Sequence, residues 1–293
     1  MNLLPKSFRA LKLFAFLLAF AGVGAASAAE DLGEFVLHHI VNGKTWHPIP
    51  GLSGIELPTW TLFGLDMSPS LHVVMLFISA VLLLILVIPS ARRSAGTPAP
   101  RGKVGHAVEA MVVFIRDEVV EPNLGKKDTR KWLPFFLTIF FFFLTLNLIG
   151  LIPGFATATS NINFTAAFAL LIFVLFNVAG IRANGVGHYF TGLVPSGLPL
   201  WLLPLIAVIE FVGLFTKTVA LALRLFANMT AGHALIFSLL GLIIVFKSHF
   251  AAAPMIPFTL FIYLIEILVA FLQAYIFTLL ASLFIGQAVH QDH

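Results

Sequence analysis

Apolar residues run in blocks too long for a soluble core, separated by short polar stretches, and the blocks predict helices that span a bilayer. Leu71 to Ile88 is apolar except for His72 and Ser79, and Arg92 and Arg93 follow at once. Val104 to Val120 mixes apolar pairs with His106, Glu109, Arg116, Asp117 and Glu118, the pattern of an amphipathic surface helix. Trp132 to Ile152 is a second span, closed by Pro153 and Gly154. A polar turn at Thr157 to Asn163 precedes a third, Phe164 to Ile181, which ends at Arg182. Gly185 to Gly197 is a loop rich in glycine and proline.

Leu198 to Lys247 has no proline after Pro204 and no polar loop. As one helix it would be about 75 Å long at ~1.5 Å per residue, against a hydrocarbon core ~30 Å thick. Either it is two spans broken near Thr230-Ala231-Gly232, or one steeply tilted helix. A single glycine with no turn cluster or flanking charge is a weak break, so the pattern favours one tilted helix. Ser248 to Pro257 is the next expected turn, and a last long helix follows from Pro257 to about His290. The expected fold is therefore an all-α polytopic membrane protein. It has five crossings at about 71–90, 132–153, 164–182, 198–247 and 254–290, plus the amphipathic surface helix.

Charge orients these spans. The segment 91–131 carries nine of the 17 Lys and Arg residues, which makes it a cytoplasmic loop. At the N-terminus, Lys6, Arg9 and Lys12 precede an apolar run and the string Ala-Ala-Ser-Ala-Ala. That order marks residues 1–29 as a secretory signal peptide or, if uncleaved, an extra span. Residues 30–70 are then extracytoplasmic, and residues 71–293 form a membrane domain with a cytoplasmic C-terminus. The setting implied is the inner membrane of a bacterium.

Composition excludes several functions. The chain is 59% hydrophobic and 10% charged, with a net charge of +4 and no cysteine. Thiol nucleophiles, disulfides and thiolate metal sites are excluded. Basic residues cluster beside apolar spans as topology signals, so nucleic-acid binding has no support. His233 begins no H-E-x-x-H motif, and there is no P-loop and no G-x-S-x-G.

The remaining chemistry lies in the last two helices. Arg224 sits deep inside an apolar run with no carboxylate within ten residues on either side. Charge at that depth costs ~2.5–3.5 kcal/mol on insertion scales and faces protein or water. Glu210 and Lys217 precede it by 14 and 7 residues on roughly one helix face, but 14 residues is about 21 Å along the axis. No ion pair within the helix can form over that distance, so the partner must come from another helix or subunit. Asn228 lies one turn past Arg224 on its face, whereas His233 falls on the opposite side of a straight helix. Glu266 and Gln273 share a face of the last helix. With the two helices antiparallel, residues whose numbers total about 500 become neighbours. Glu266 should then face His233, and Gln273 should face Arg224. A glutamate buried there holds its proton more tightly, which suits a relay near neutral pH. His233 and Glu266 would form a titratable pair open to the outside, with Glu210 on a cytoplasmic path and Arg224 between the two.

These residues carry a resemblance. LALRLFANMTAGHALIF and EILVAFLQAYIF are similar to the signature segments of subunit a of the F-type ATP synthase. The likeness extends to His38 and His39, TWTLFGLDM, NLIGLIP, SNINFT and PLIAVIEFVGLFTKTVAL, from about residue 34 to the C-terminus. It implies that Arg224 is the family's arginine, with Asn228, Gln273 and Glu210 as channel residues. His233 and Glu266 exchange the acid and imidazole found in some bacterial members. Gly150 stands where some members have aspartate, and Ala220 where some have a small hydroxyl residue. The resemblance further implies two tilted final helices packed on a ring of c subunits, b-type peripheral stalk subunits and the whole ATP synthase complex as partners, and no cofactor. The chain would carry protons without covalent catalysis. A sodium-carrying version is the nearest rival. A secondary transporter would require an inverted repeat, which is not found. A scaffold with no ion path would leave Arg224 and Glu266 dispensable.

Overall fold

The computed structural model describes residues 43, 45–46, 55–62, 65–66, 68–94, 102–152, 155–192, 199, 201–246 and 249–290. The signal-peptide expectation for residues 1–29 and the His38-His39 pair lie outside them.

The chain forms two compact units, Asn42–Ala231 with Ile265–His293, and Met1–Val41 with Gly232–Leu264. The larger unit opens with two short antiparallel hairpins, β1 (Thr45–Trp46) with β2 (Ile55–Glu56) and β3 (Thr61–Leu62) with β4 (Leu65–Asp66). Helices follow: α1 (Leu71–Ser94), α2 (Gly102–Phe114), a π-helical turn at Ile115–Val120, and α3 (Glu121–Gly150). After a 3₁₀ turn at Ala158–Ser160 come α4 (Ile162–Asn184) and α5 (Val186–Thr191). The last two, α6 (Leu203–Phe246) and α7 (His249–Val289), each contribute to both units. Five helical stretches among the described residues are long and apolar enough to cross a membrane. The protein is an all-α, multi-pass membrane protein.

Local sequence accounts for the breaks. Gly125 holds φ +71°, a left-handed conformation open to glycine, and there the surface segment turns into the α3 span. Asn161 caps α4 by accepting a hydrogen bond from the Asn163 backbone N–H at 2.9 Å. Pro204 stands in the first turn of α6, where a missing N–H removes no helical bond.

Helix α6 runs unbroken for 44 residues, through Thr230-Ala231-Gly232, so the single-helix reading is correct. Its apolar stretch Leu203–Leu242 is 40 residues, or about 60 Å, and fits a ~30 Å hydrocarbon layer only at an inclination of about 60° from the normal. The expected turn at Ser248 to Pro257 is a correction. Helix α7 starts at His249 and carries Pro254 and Pro257 inside it. Prolines mark helix ends in soluble chains, but spanning helices tolerate them because neighbouring groups re-satisfy the freed carbonyls.

The core of the larger unit is aromatic on one side and small on the other. Phe136, Phe140 and Phe143 of α3 are fully buried, as are Ala270, Ala274 and Ala281 of α7. Lipid is as apolar as leucine, so close packing of small residues drives helix association in a bilayer, and α7 supplies them. Phe143 packs at a tilt against Phe277, 4.4 Å between centroids, and edge-on against Phe168 at 5.1 Å. Asn123 of α3 ties this wall to α7 through Ser282 at 2.9 Å. In the smaller unit, His233, Ile236 and Thr259 are buried. Large apolar side chains such as Leu235, Phe258 and Phe261 are exposed there.

Candidate functional site

One face of α6 is buried through Leu221, Leu225 and Met229, which fixes the rotation of the helix. Arg224 therefore points outward. It is exposed, as are Ala220, Ala227, Asn228 and Ala231 along the same face. Among the described residues Arg224 has neither an ion pair nor a hydrogen bond. A cation left on an apolar, membrane-deep surface needs a partner from outside the described residues.

Asn228 donates its side-chain amide to Gln273 Oε1 at 3.0 Å. Gln273 thus meets Asn228 rather than Arg224, one turn further along α6 than the sequence suggested. Their numbers total 501, close to the antiparallel total of about 500 expected from the sequence, whereas Gln273 and Arg224 total 497. Glu266 lies seven residues before Gln273 on α7, and both are buried, at 6% and 3% exposure. Ala270 stands between them, fully buried. His233 is also buried, on the face of α6 away from Arg224, with its ring 6.4 Å from that of Phe237. It belongs to the smaller unit and Glu266 to the larger one.

On the opposite side of Arg224, Glu210 is half-buried, with its carboxylate lying over Gly213 of its own helix. Lys217 is exposed, and its Nζ stands 5.9 Å from the centroid of Phe284. It lines a small open pocket of about 50 Å³ with Phe176, Tyr189, Leu214, Gln287 and Ala288. Burial raises the Tyr189 phenol above its ordinary value, and its hydroxyl donates to Asn177 Oδ1 at 3.0 Å. The hydroxyl therefore serves as a fixed hydrogen-bond donor.

Several polar residues around the site escaped sequence reasoning. Asn147 of α3 is fully buried and donates to the Ala270 carbonyl at 3.2 Å. Its own Oδ1 accepts from Thr159 at 2.8 Å. Thr230 Oγ1 stands 3.5 Å from the Ser160 carbonyl. An asparagine in the middle of the phenylalanine-rich α3 was a signal for Asn147, since a polar group there needs a partner. Gly150 is also explained. A Cβ at this position would collide with the Thr157 side chain, so no aspartate fits here.

The profile of the family described as ATP synthase A chain matches residues 73–286. A protein of Chloroherpeton thalassium named ATP synthase subunit a is 48% identical over 261 residues, covering 88% of this chain and 77% of its own. Proteins of the same name from Anaeromyxobacter dehalogenans and Myxococcus xanthus are 45% and 42% identical. Those alignments cover 90% and 87% of this chain, and 73% and 88% of theirs. With nearly three quarters of its length matched by the profile, the chain belongs to the ATP synthase A chain family.

Proposed function

We propose that this chain is the stator subunit that carries protons through the membrane sector of a bacterial F-type ATP synthase. The observation that supports this most is Arg224, an exposed cation without an ion-pair partner among the described residues, one turn from the exposed Asn228 that bonds buried Gln273, on the helix that also buries Glu266. Protons enter from outside along a half-channel lined by Asn228, Gln273 and Glu266, with His233 as a further proton-carrying residue of the relay. Protons pass to a carboxylate on the ring of c subunits, which turns against the exposed α6 face. They leave through a second half-channel beside Glu210.

Arg224 separates the paths in two ways. Its fixed positive charge raises the energy of a proton or hydronium crossing directly. It also favours the ionised form of a partner carboxylate brought close, promoting release on the exit side. The chain forms and breaks no covalent bond, and ATP chemistry belongs to other subunits. Its partners are the c ring, b-type peripheral stalk subunits and the surrounding lipid of the inner membrane. The N-terminus lies outside and the C-terminus in the cytoplasm.

The test is ATP synthesis by the complex in proteoliposomes, driven by a pH gradient in sodium-free buffer. Synthesis without sodium is expected. An absolute sodium requirement would transfer the same architecture to sodium transport.

A further inference from the structure

Asn147 is fully buried in the phenylalanine-rich part of α3, and both ends of its amide are engaged. Its Nδ2 donates to the Ala270 carbonyl of α7 at 3.2 Å, and its Oδ1 accepts from the Thr159 hydroxyl at 2.8 Å. A backbone carbonyl has two lone pairs, so Ala270 accepts this bond and keeps its helical one. Thr159 is also fully buried and belongs to the 3₁₀ turn at Ala158–Ser160. That turn is closed by the bonds from Ser160 N–H to the Thr157 carbonyl at 3.0 Å and from Asn161 N–H to the Ala158 carbonyl at 3.1 Å. The Thr159 donor fixes which way the Asn147 amide faces, because a flipped amide would set its oxygen against the Ala270 carbonyl.

The bond falls on the turn of α7 that carries the site. Ala270 lies four residues past Glu266 and three before Gln273, and all three are buried. Ala270 and Ala274 are both fully buried. Small residues let α3 and α7 approach closely, but they carry no protruding side chain to index one helix on the other. A directional bond to a backbone carbonyl supplies that index. Two other polar ties of α7, Asn123 to Ser282 at 2.9 Å and Asn184 to the Ala288 carbonyl at 3.0 Å, lie twelve and eighteen residues farther toward its C-terminus. Gln273 reaches Asn228 of α6 through one 3.0 Å contact between side chains. Turning α7 by a single residue step, about 100°, would carry Gln273 off Asn228. We propose that Asn147, oriented by Thr159, is a positioning residue of the entry path: it holds the Gln273 turn of α7 in register with Asn228. It takes up no proton itself, since an amide does not titrate. This rests on the proton-path reading above.

Two other roles stand against it: a tie that only stabilises the fold, and a polar lining that acts independently of Gln273. A double-mutant cycle separates the three. ATP-driven proton pumping per assembled complex is measured in inverted membrane vesicles by quenching of a pH-sensitive dye, with assembly checked by blot. The variants are Asn147→Leu, Thr159→Val, Thr159→Ser, Gln273→Leu, and Gln273→Leu combined with Thr159→Val. Thr159→Val keeps the volume and removes the donor to Oδ1, so it decides the question where Asn147→Leu fails to assemble. Pumping should fall several-fold in Asn147→Leu and Thr159→Val and return to near wild type in Thr159→Ser. It should fall no further when Thr159→Val is added to Gln273→Leu. Full pumping per complex in Thr159→Val, with only a lower melting temperature, would make Asn147 a structural tie and overturn the proposal. A loss that multiplies with that of Gln273→Leu would overturn it too, because Asn147 then acts on its own. Normal pumping in Gln273→Leu sinks the entry path at Gln273 itself, whereas a loss there beside a normal Thr159→Val sinks only the positioning role.

Discussion

Asn228 of α6 and Gln273 of α7 are joined by a 3.0 Å amide-to-amide hydrogen bond beside an exposed arginine. Two amides are a stable way to keep polarity at membrane depth, because each has a donor and an acceptor and neither ionises. Polar pairs between membrane helices contribute ~0.6 kcal/mol on average. The pair is thus too weak to be the main tie between the helices. Gln273→Leu should leave assembly and thermal stability within about 2 kcal/mol of wild type, consistent with the upper range for such pairs. ATP-driven proton pumping should nevertheless fall several-fold, read as quenching of a pH-sensitive dye. Equal losses of stability and pumping would reduce the pair to a structural tie.

Gly150 approaches Thr157 too closely for any side chain. Gly150→Asp should lower the amount of assembled complex, through the collision and through a carboxylate at membrane depth that costs ~2.5–3.5 kcal/mol. Gly150→Ala should show the collision alone, and Gly150→Ala with Thr157→Gly should recover assembly. The measurement is the yield of intact complex on native gels.

Much of the site was legible beforehand, for physical reasons. A lone arginine in an apolar run stands out in any sequence, and helical spacing puts Asn228 beside it. The unbroken α6 was readable because nothing near Thr230 could stop a helix. The partner of Gln273 was off by one turn because antiparallel numbering fixes a pairing only to within a turn, and the start of α7 was missed because Pro254 and Pro257 read as a turn, although a bilayer helix accommodates them. Asn147 and His72 were passed over because their partners, the Ala270 carbonyl and Asn161, lie 123 and 89 residues away. No local pattern records contacts of that range.

Ala274 is fully buried in the core that contains Phe143 and Phe277. Ala274→Leu should overpack this wall and destabilise the protein by about 1–3 kcal/mol. Detergent-melting temperature should fall, and proton pumping per assembled complex should stay near wild type. A normal melting temperature would show that the α3–α7 contact is looser than its burial indicates.

Gly125 adopts φ +71° at the break between the surface segment and the α3 span. Gly125→Ala should cost roughly 1–2 kcal/mol, the penalty of a left-handed conformation for a residue with a Cβ. Lower thermal stability with unchanged pumping per complex is the expected outcome, measured by melting curves on the purified complex.

The most direct measurement is ATP-driven proton pumping in inverted membrane vesicles carrying Arg224→Ala, beside wild type and with assembly checked by blot. Pumping lost in a fully assembled complex is the expected result, because nothing else on the exposed face of α6 at that level carries a fixed charge. Normal pumping in the assembled variant would make Arg224 structural and contradict the two-path reading.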